Sequence, residues 1–142
     1  MTKALIIAGL LAAALAAPVQ AQSVNGVWPT EAKNAHVQIA PCADAAQGPL
    51  CGTVVKLLDA PETAVDRHNP DLNLRGRKIM GLVLLYGFRK GSAPNSFEGG
   101  KIYKTDEGKA YDASVALQAD GTSHVRGTSG IFGKTQTWTR IQ

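Results

Sequence analysis

A chain of 142 residues points to one domain with a real core. Its net charge of +4 is mild, its basic residues are scattered, and only 6% of residues are aromatic. A nucleic-acid binder needs a basic stripe with stacking aromatics, so that class is set aside, and the charge is read as an aid to solubility.

Residues 1–21 read as a secretory signal peptide. Lys3 gives a positive start, residues 4–17 form an apolar run, and Val19-Gln20-Ala21 supplies a cleavage site after Ala21. The run is shorter than the roughly 18–20 residues that span a membrane. No Cys follows it, so neither a spanning helix nor a lipid anchor is expected. Export would leave residues 22–142 as a single domain in the periplasm or outside the cell.

Strands follow in short, regular steps. Residues 24–28 start the first, and Pro29 ends it. Residues 35–40 alternate, with Val37 and Ile39 on one face and His36 and Gln38 on the other, the pattern of a half-buried strand. Residues 41–49 form a loop pinned by Cys42 and Cys51. In an exported chain these two can form a disulfide. A metal pair would want further Cys or a nearby His at ligand spacing. Residues 50–58 resume as a strand rich in β-branched side chains.

Residues 59–77 are the one long connection, carrying Asp59, Glu62, Asp66, Asp71 and the amides Asn69 and Asn73. A loop of that length in a small domain is usually functional, often a lid. Residues 79–88 are the most apolar stretch. Strict alternation puts Gly81, Val83, Leu85 and Gly87 on one face and Leu82, Leu84, Tyr86 and Phe88 on the other. Two apolar faces predict that the outer one is covered, by the long loop or by a second subunit in a homodimer.

The remaining strands are predicted at 97–104, 109–118, 122–127 and 131–141. Asp106-Glu107-Gly108 and Asp120-Gly121 are hairpin turns. Tyr111, Ala113, Val115 and Leu117 should point inward. The sum is an all-β fold, an antiparallel up-and-down β-barrel of about eight strands.

The two ends of this barrel carry a matching pair, Gly26-Val27-Trp28 and Trp138-Thr139-Arg140. A Gly-x-Trp on the first strand and an Arg on the last resemble the way lipocalin-like (calycin) barrels seal one end. Trp28 would plug the floor and Arg140 pack over its ring, with Gly26 allowing another backbone to approach. Further motifs run in order along the chain: Leu50-Cys51-Gly52, Asn69-Pro70-Asp71 with Leu74-Arg75, Gly99-Gly100-Lys101-Ile102-Tyr103, Gly108-Lys109-Ala110-Tyr111, and 132–140. Together they resemble the bacterial exported proteins grouped as domain-of-unknown-function family 2147. Local departures are Phe97-Glu98, where a Trp is common, and Lys104-Thr105, where Asp-Pro is often seen. The resemblance implies a lipocalin-like fold and an exported compartment, and no particular reaction.

Candidate chemistry is thin. No Gly-x-Ser-x-Gly elbow appears, and His36, His68 and His124 read as solvated. Asn69, Asp71 and Asn73 alternate as in the start of a calcium loop, but Leu74 and Met80 occupy the positions that need Gly and Glu. Asx turns are the expected alternative, and Asp71 and Arg75 suggest an ion pair or polar clamp at the mouth. The expected ligand-site and loop residues are Asn69, Asp71, Arg75, Tyr103 and Tyr111, with no catalytic residue, metal or cofactor implied. The favoured function is binding of a small, partly apolar ligand in the barrel. The alternatives are an envelope interaction protein acting through Leu82, Leu84, Tyr86 and Phe88, or a hydrolase-like enzyme using Asp66, His68 and Asp71.

Overall fold

The structure, a computed structural model, describes Gly9 and residues 22–142. The signal peptide expected over residues 1–21 lies, Gly9 apart, outside the described residues. Nine strands follow in chain order: β1 (Gly26–Pro29), β2 (Ala35–Ala40), β3 (Cys51–Leu57), β4 (Val83–Tyr86), β5 (Arg89–Lys90), β6 (Ser96–Lys104), β7 (Lys109–Leu117), β8 (Ser123–Ser129) and β9 (Phe132–Trp138). They form one antiparallel sheet in the order β1-β2-β3-β4-β6-β7-β8-β9, with the two-residue β5 pairing on β6. The fold is therefore all-β and up-and-down, because the strands after β4 are joined to their neighbours by tight turns. Among the described residues no helix is long and apolar enough to cross a membrane.

The sheet curls until the chain end returns to its beginning. The Val27 N–H donates to the Gln142 carbonyl at 2.7 Å, and the Ile141 N–H donates to the Val27 carbonyl at 2.8 Å. Gly26 permits the approach. It takes a φ of +148°, and a Cβ there would collide with the Gln142 carbonyl and the Arg140 guanidinium. Away from this junction one ion pair spans from β9 to the β1–β2 turn, Lys134 to Glu31 at 3.1 Å. The result is a half-barrel, shut at one end.

Its core sits at the shut end. Register lines up Trp28 with Val37 and Val37 with Val54, and sets Val115 beside Val125. These side chains, with Ile39, Leu50, Leu85 and Trp138, are buried together. Trp28 has no exposed surface, and its indole N–H donates to the Val24 carbonyl at 2.9 Å. The Arg140 guanidinium lies 4.5 Å from the Trp28 ring centroid and donates to the carbonyls of Ser23 and Asn25. Cys42 and Cys51 are joined as a disulfide, with a Cα–Cα distance of 4.9 Å.

The apolar stretch at 79–88 departs from strict alternation. Only Val83–Tyr86 is strand. Pairing slips as it passes from Gly52–Leu85 to Thr53–Val83, leaving Leu84 in a bulge. At a bulge two consecutive side chains can share a face, and here Leu84 and Leu85 both pack on the core. Gly87 then takes a φ of +77°. Past it, Phe88 is buried against Gly100. Leu82, Leu84, Tyr86 and Phe88 thus do not form one outer face. The exposed part of that surface is carried by Val83, flanked by half-buried Leu82 and Tyr86.

Candidate functional site

The connection between β3 and β4 is tied down from within. Backbone bonds link Asp66 N–H to the Arg77 carbonyl and Ile79 N–H to the Ala64 carbonyl, both near 3 Å. Asp66 lies at the centre with no exposed surface. Its carboxylate accepts from Tyr103 Oη at 2.7 Å, Asn69 Nδ2 at 2.9 Å and Arg77 Nε at 2.9 Å. Burial alone would push this carboxyl up. The hydrogen bonds from Asn69, Tyr103 and Arg77, with the Arg77 charge, outweigh it and hold Asp66 below the usual carboxylate range. Burial, then the bond to Asp66, raises the Tyr103 phenol.

The family-motif residues of this loop serve the same purpose. Asn69 Oδ1 accepts from the Asp71 N–H at 2.9 Å, and Asp71 Oδ1 accepts from the Asn73 N–H at 3.0 Å. These are Asx turns. Arg75 Nε donates to the Asn69 carbonyl at 2.7 Å. That bond replaces the expected Asp71–Arg75 ion pair, because the single turn at Leu72–Leu74 folds Arg75 back over Asn69. The loop also presses on the β6–β7 turn: Gly108 has a φ of +64°, and a Cβ there would strike the His68 carbonyl.

Two adjoining cavities open on the concave side at the unsealed end. One, of about 180 Å³, lies between the β1–β2 turn, the two ends of the long loop and β9, over Val54, Leu84, Ile102 and Trp138. The other, of about 350 Å³, runs across β6 to β9 over Ile102, Tyr111, Val125 and Gly127 and is edged by Lys104, Glu107, Phe132 and Lys134. Ile102, Lys104 and Gln136 line both. The hairpin register explains the lining: Ile102 faces Tyr111, and Val125 faces Gln136.

Charges at the rim are already matched. Lys104 Nζ lies 3.3 Å from Glu107, and Lys134 lies against Glu31. Tyr111 Oη donates to Glu107, and this bond is the main cause of the lowered Glu107 carboxyl and the raised Tyr111 phenol. Gln136 is turned to accept from the Trp138 indole at 2.8 Å. An apolar floor under a charge-balanced rim suits a molecule that is largely apolar with few polar groups.

Of the residues expected at the site, Tyr111 lines the larger cavity and Tyr103 lines the smaller one, its hydroxyl committed to Asp66. Asn69, Asp71 and Arg75 line neither. Nor do Asp66, His68 and Asp71 converge on a cavity, as the hydrolase-like reading requires: Asp66 is covered, and Asp71 is turned onto Asn73. Ile102, Lys104, Val125, Gly127, Lys134 and Gln136 also line the cavities, and no sequence motif marks them as site residues. Alternation from Tyr111 across the Asp120-Gly121 hairpin could have found Val125 and Gly127, since that turn sets the register.

Comparison with known proteins fits this architecture. A solved structure described as protein HP1028 of the human pathogen Helicobacter pylori, belonging to the lipocalin family, superposes with a TM-score of 0.71. The match covers 86% of this chain and 85% of that one at 24% identity, a likeness of fold. No curated protein matches significantly. The model of a family described as an uncharacterised protein conserved in bacteria matches residues 26–140. With Trp28, the Asn69-Pro70-Asp71 loop and Arg140 all inside the matched span, the chain belongs to domain-of-unknown-function family 2147.

Proposed function

We propose that this chain is an exported binding protein that holds a small, partly apolar molecule in the concavity of its half-barrel. One observation carries the reading: two adjoining cavities, about 350 and 180 Å³, share Ile102, Lys104 and Gln136 on the concave side of the sheet. Single ligand sites commonly measure about 300–1,000 Å³. The disulfide accords with an oxidising compartment. The lipocalin-like fold supports small-molecule binding by analogy only.

Native mass spectrometry of protein purified from the periplasm, followed by solvent extraction, tests this reading. A discrete adduct that is lost on denaturation is expected. Bare protein, together with no rise in melting temperature across a panel of fatty acids, isoprenoids and aromatic acids, would remove the proposal.

A second reading, docking of a protein partner on the outer face, rests on exposed Val83 beside Leu82 and Tyr86. Tyr86→Asp should then shift elution on a sizing column while leaving the fold intact. Phe88→Asp cannot serve, because Phe88 is in the core.

A further inference from the structure

The β8–β9 hairpin ends in an apolar tip that the fold does not use. Ser129 and Phe132 form the last pair, and Gly130 takes a φ of +60°, which suits the first position of a type II′ turn. The next position usually holds a small polar residue. Here it is Ile131, 95% exposed, followed by Phe132, 77% exposed. Single exposed apolar residues are ordinary, but two large ones adjoining at a fingertip gain nothing from folding and call for a partner.

The surroundings select the partner. Arg126 lies along the same hairpin, over Gly133 and bonded to Thr135 Oγ1 at 3.3 Å. Lys109 sits over the Tyr111 ring, 4.9 Å from its centroid, outside the cavity lining. Neither makes an ion pair among the described residues. The nearby Glu107 and Glu31 are matched by Lys104 and Lys134. The tip is thus an apolar point flanked by two cations outside the ion pairs, Arg126 and the ring-stacked Lys109. Asp106, near Tyr111, is the one opposing carboxylate left without an ion pair among the described residues there. That small positive excess is complementary to an anionic lipid surface, whose headgroups attract cations and whose acyl region accepts Ile and Phe.

We infer that the β8–β9 hairpin is a peripheral membrane-docking finger, inserting Ile131 and Phe132 between anionic phospholipids. Phe132 also edges the larger cavity, so docking would bring the cavity mouth to the bilayer, from which an apolar molecule could pass. That purpose rests on the binding reading; the docking itself does not.

Flotation of the purified protein with vesicles of phosphatidylglycerol and phosphatidylethanolamine tests the finger, with phosphatidylcholine vesicles for comparison. Binding to the anionic vesicles, weakened by salt, is expected. Ile131→Ser with Phe132→Ser should lower the partition coefficient by about tenfold or more, and Arg126→Gln several-fold on anionic vesicles only. Trp28 and Trp138 are both buried, so Phe132→Trp would add an exposed indole whose emission should move to the blue on binding. Equal binding by wild type and the double serine variant, or no binding at all, overturns the proposal. So does a dimer on the sizing column that the serine variant abolishes, which would make the tip a subunit contact. Retention of a bound adduct by the serine variant would leave the binding reading standing whichever way docking falls.

Discussion

Asp66 keeps its charge while wholly covered because three donors converge on it and one of them is cationic. Its folded pKa is lowered, so the stability it contributes is complete above the ordinary carboxylate value, near 3.9, and is lost as pH falls through the folded value. Acid titration followed by circular dichroism should show stability falling below about pH 4. Asp66→Asn should flatten that limb; an unchanged acid profile would mean that the network is not coupled to folding. Trp28 has a different kind of importance, that of volume. Trp28→Ala should cost roughly 3–5 kcal/mol in urea unfolding, as other large-to-small core changes do, and a loss below about 1 kcal/mol would show that the floor repacks without it. Trp28 and Arg140 were legible because each stands in a short motif at its own end of the chain. Asp66 was one of four loop acids with nothing local to mark it. What singles it out is Tyr103, 37 residues away, and no periodicity reports such a contact.

A tight turn made the register of its hairpin legible, whereas the slip within β4 carried no local mark. The hairpins around Asp106–Gly108 and Asp120-Gly121 stand as read, and so does the inward face of β7, because a tight turn leaves one way to align the strands. At β4 the strand lies within the expected run, but its ends and its faces differ from strict alternation. A run of Leu and Val looks the same to a period-two reading whether it has two outer faces or a slipped register, and the slip at Leu84 is set by the packing of β3 against it. The length of the 59–77 loop predicts a lid over the mouth, and the structure differs. Asp59 and Ala60 at its start, with Ile79 just past its end, line the smaller cavity; its middle is bolted to β6 through Tyr103 and wedged on the β6–β7 turn. The wedge can be tested as an element. Gly108→Ala puts a methyl group into the His68 carbonyl at a φ that favours glycine. It should cost about 1–3 kcal/mol and make the 59–77 segment cleavable by protease under native conditions. Wild-type protease resistance in this variant would mean that the loop holds its place without the turn.

For the molecule as a whole, the uneven filling of the half-barrel bears most directly on function. One end is stoppered by two indoles, and the other leaves open space over Ile102 and Val125. A sheet serving only as a scaffold has no reason to place Gly127 in the middle of that wall. A Cβ at Gly127 would lie 3.6 Å from Ile102 Cγ2 and 3.8 Å from Tyr111 Cβ, ordinary contacts, and the backbone there asks for no positive φ. A larger residue would therefore fit the fold and fill the cavity of about 350 Å³. Gly127→Leu separates the two demands. If the space is only a packing defect, added apolar contact should raise the melting temperature and change nothing else. If the space is for a ligand, the variant should fold with equal or greater intrinsic stability yet lose bound adduct, with affinity down about tenfold or more, or at least 1.4 kcal/mol. Wild type purified with its ligand would then melt higher than stripped wild type, since occupancy at about a hundred times Kd adds roughly 2.7 kcal/mol. Gly127→Leu should melt at the same temperature before and after stripping. A variant that still carries the wild-type complement of adduct would move the binding site away from the β6–β9 wall.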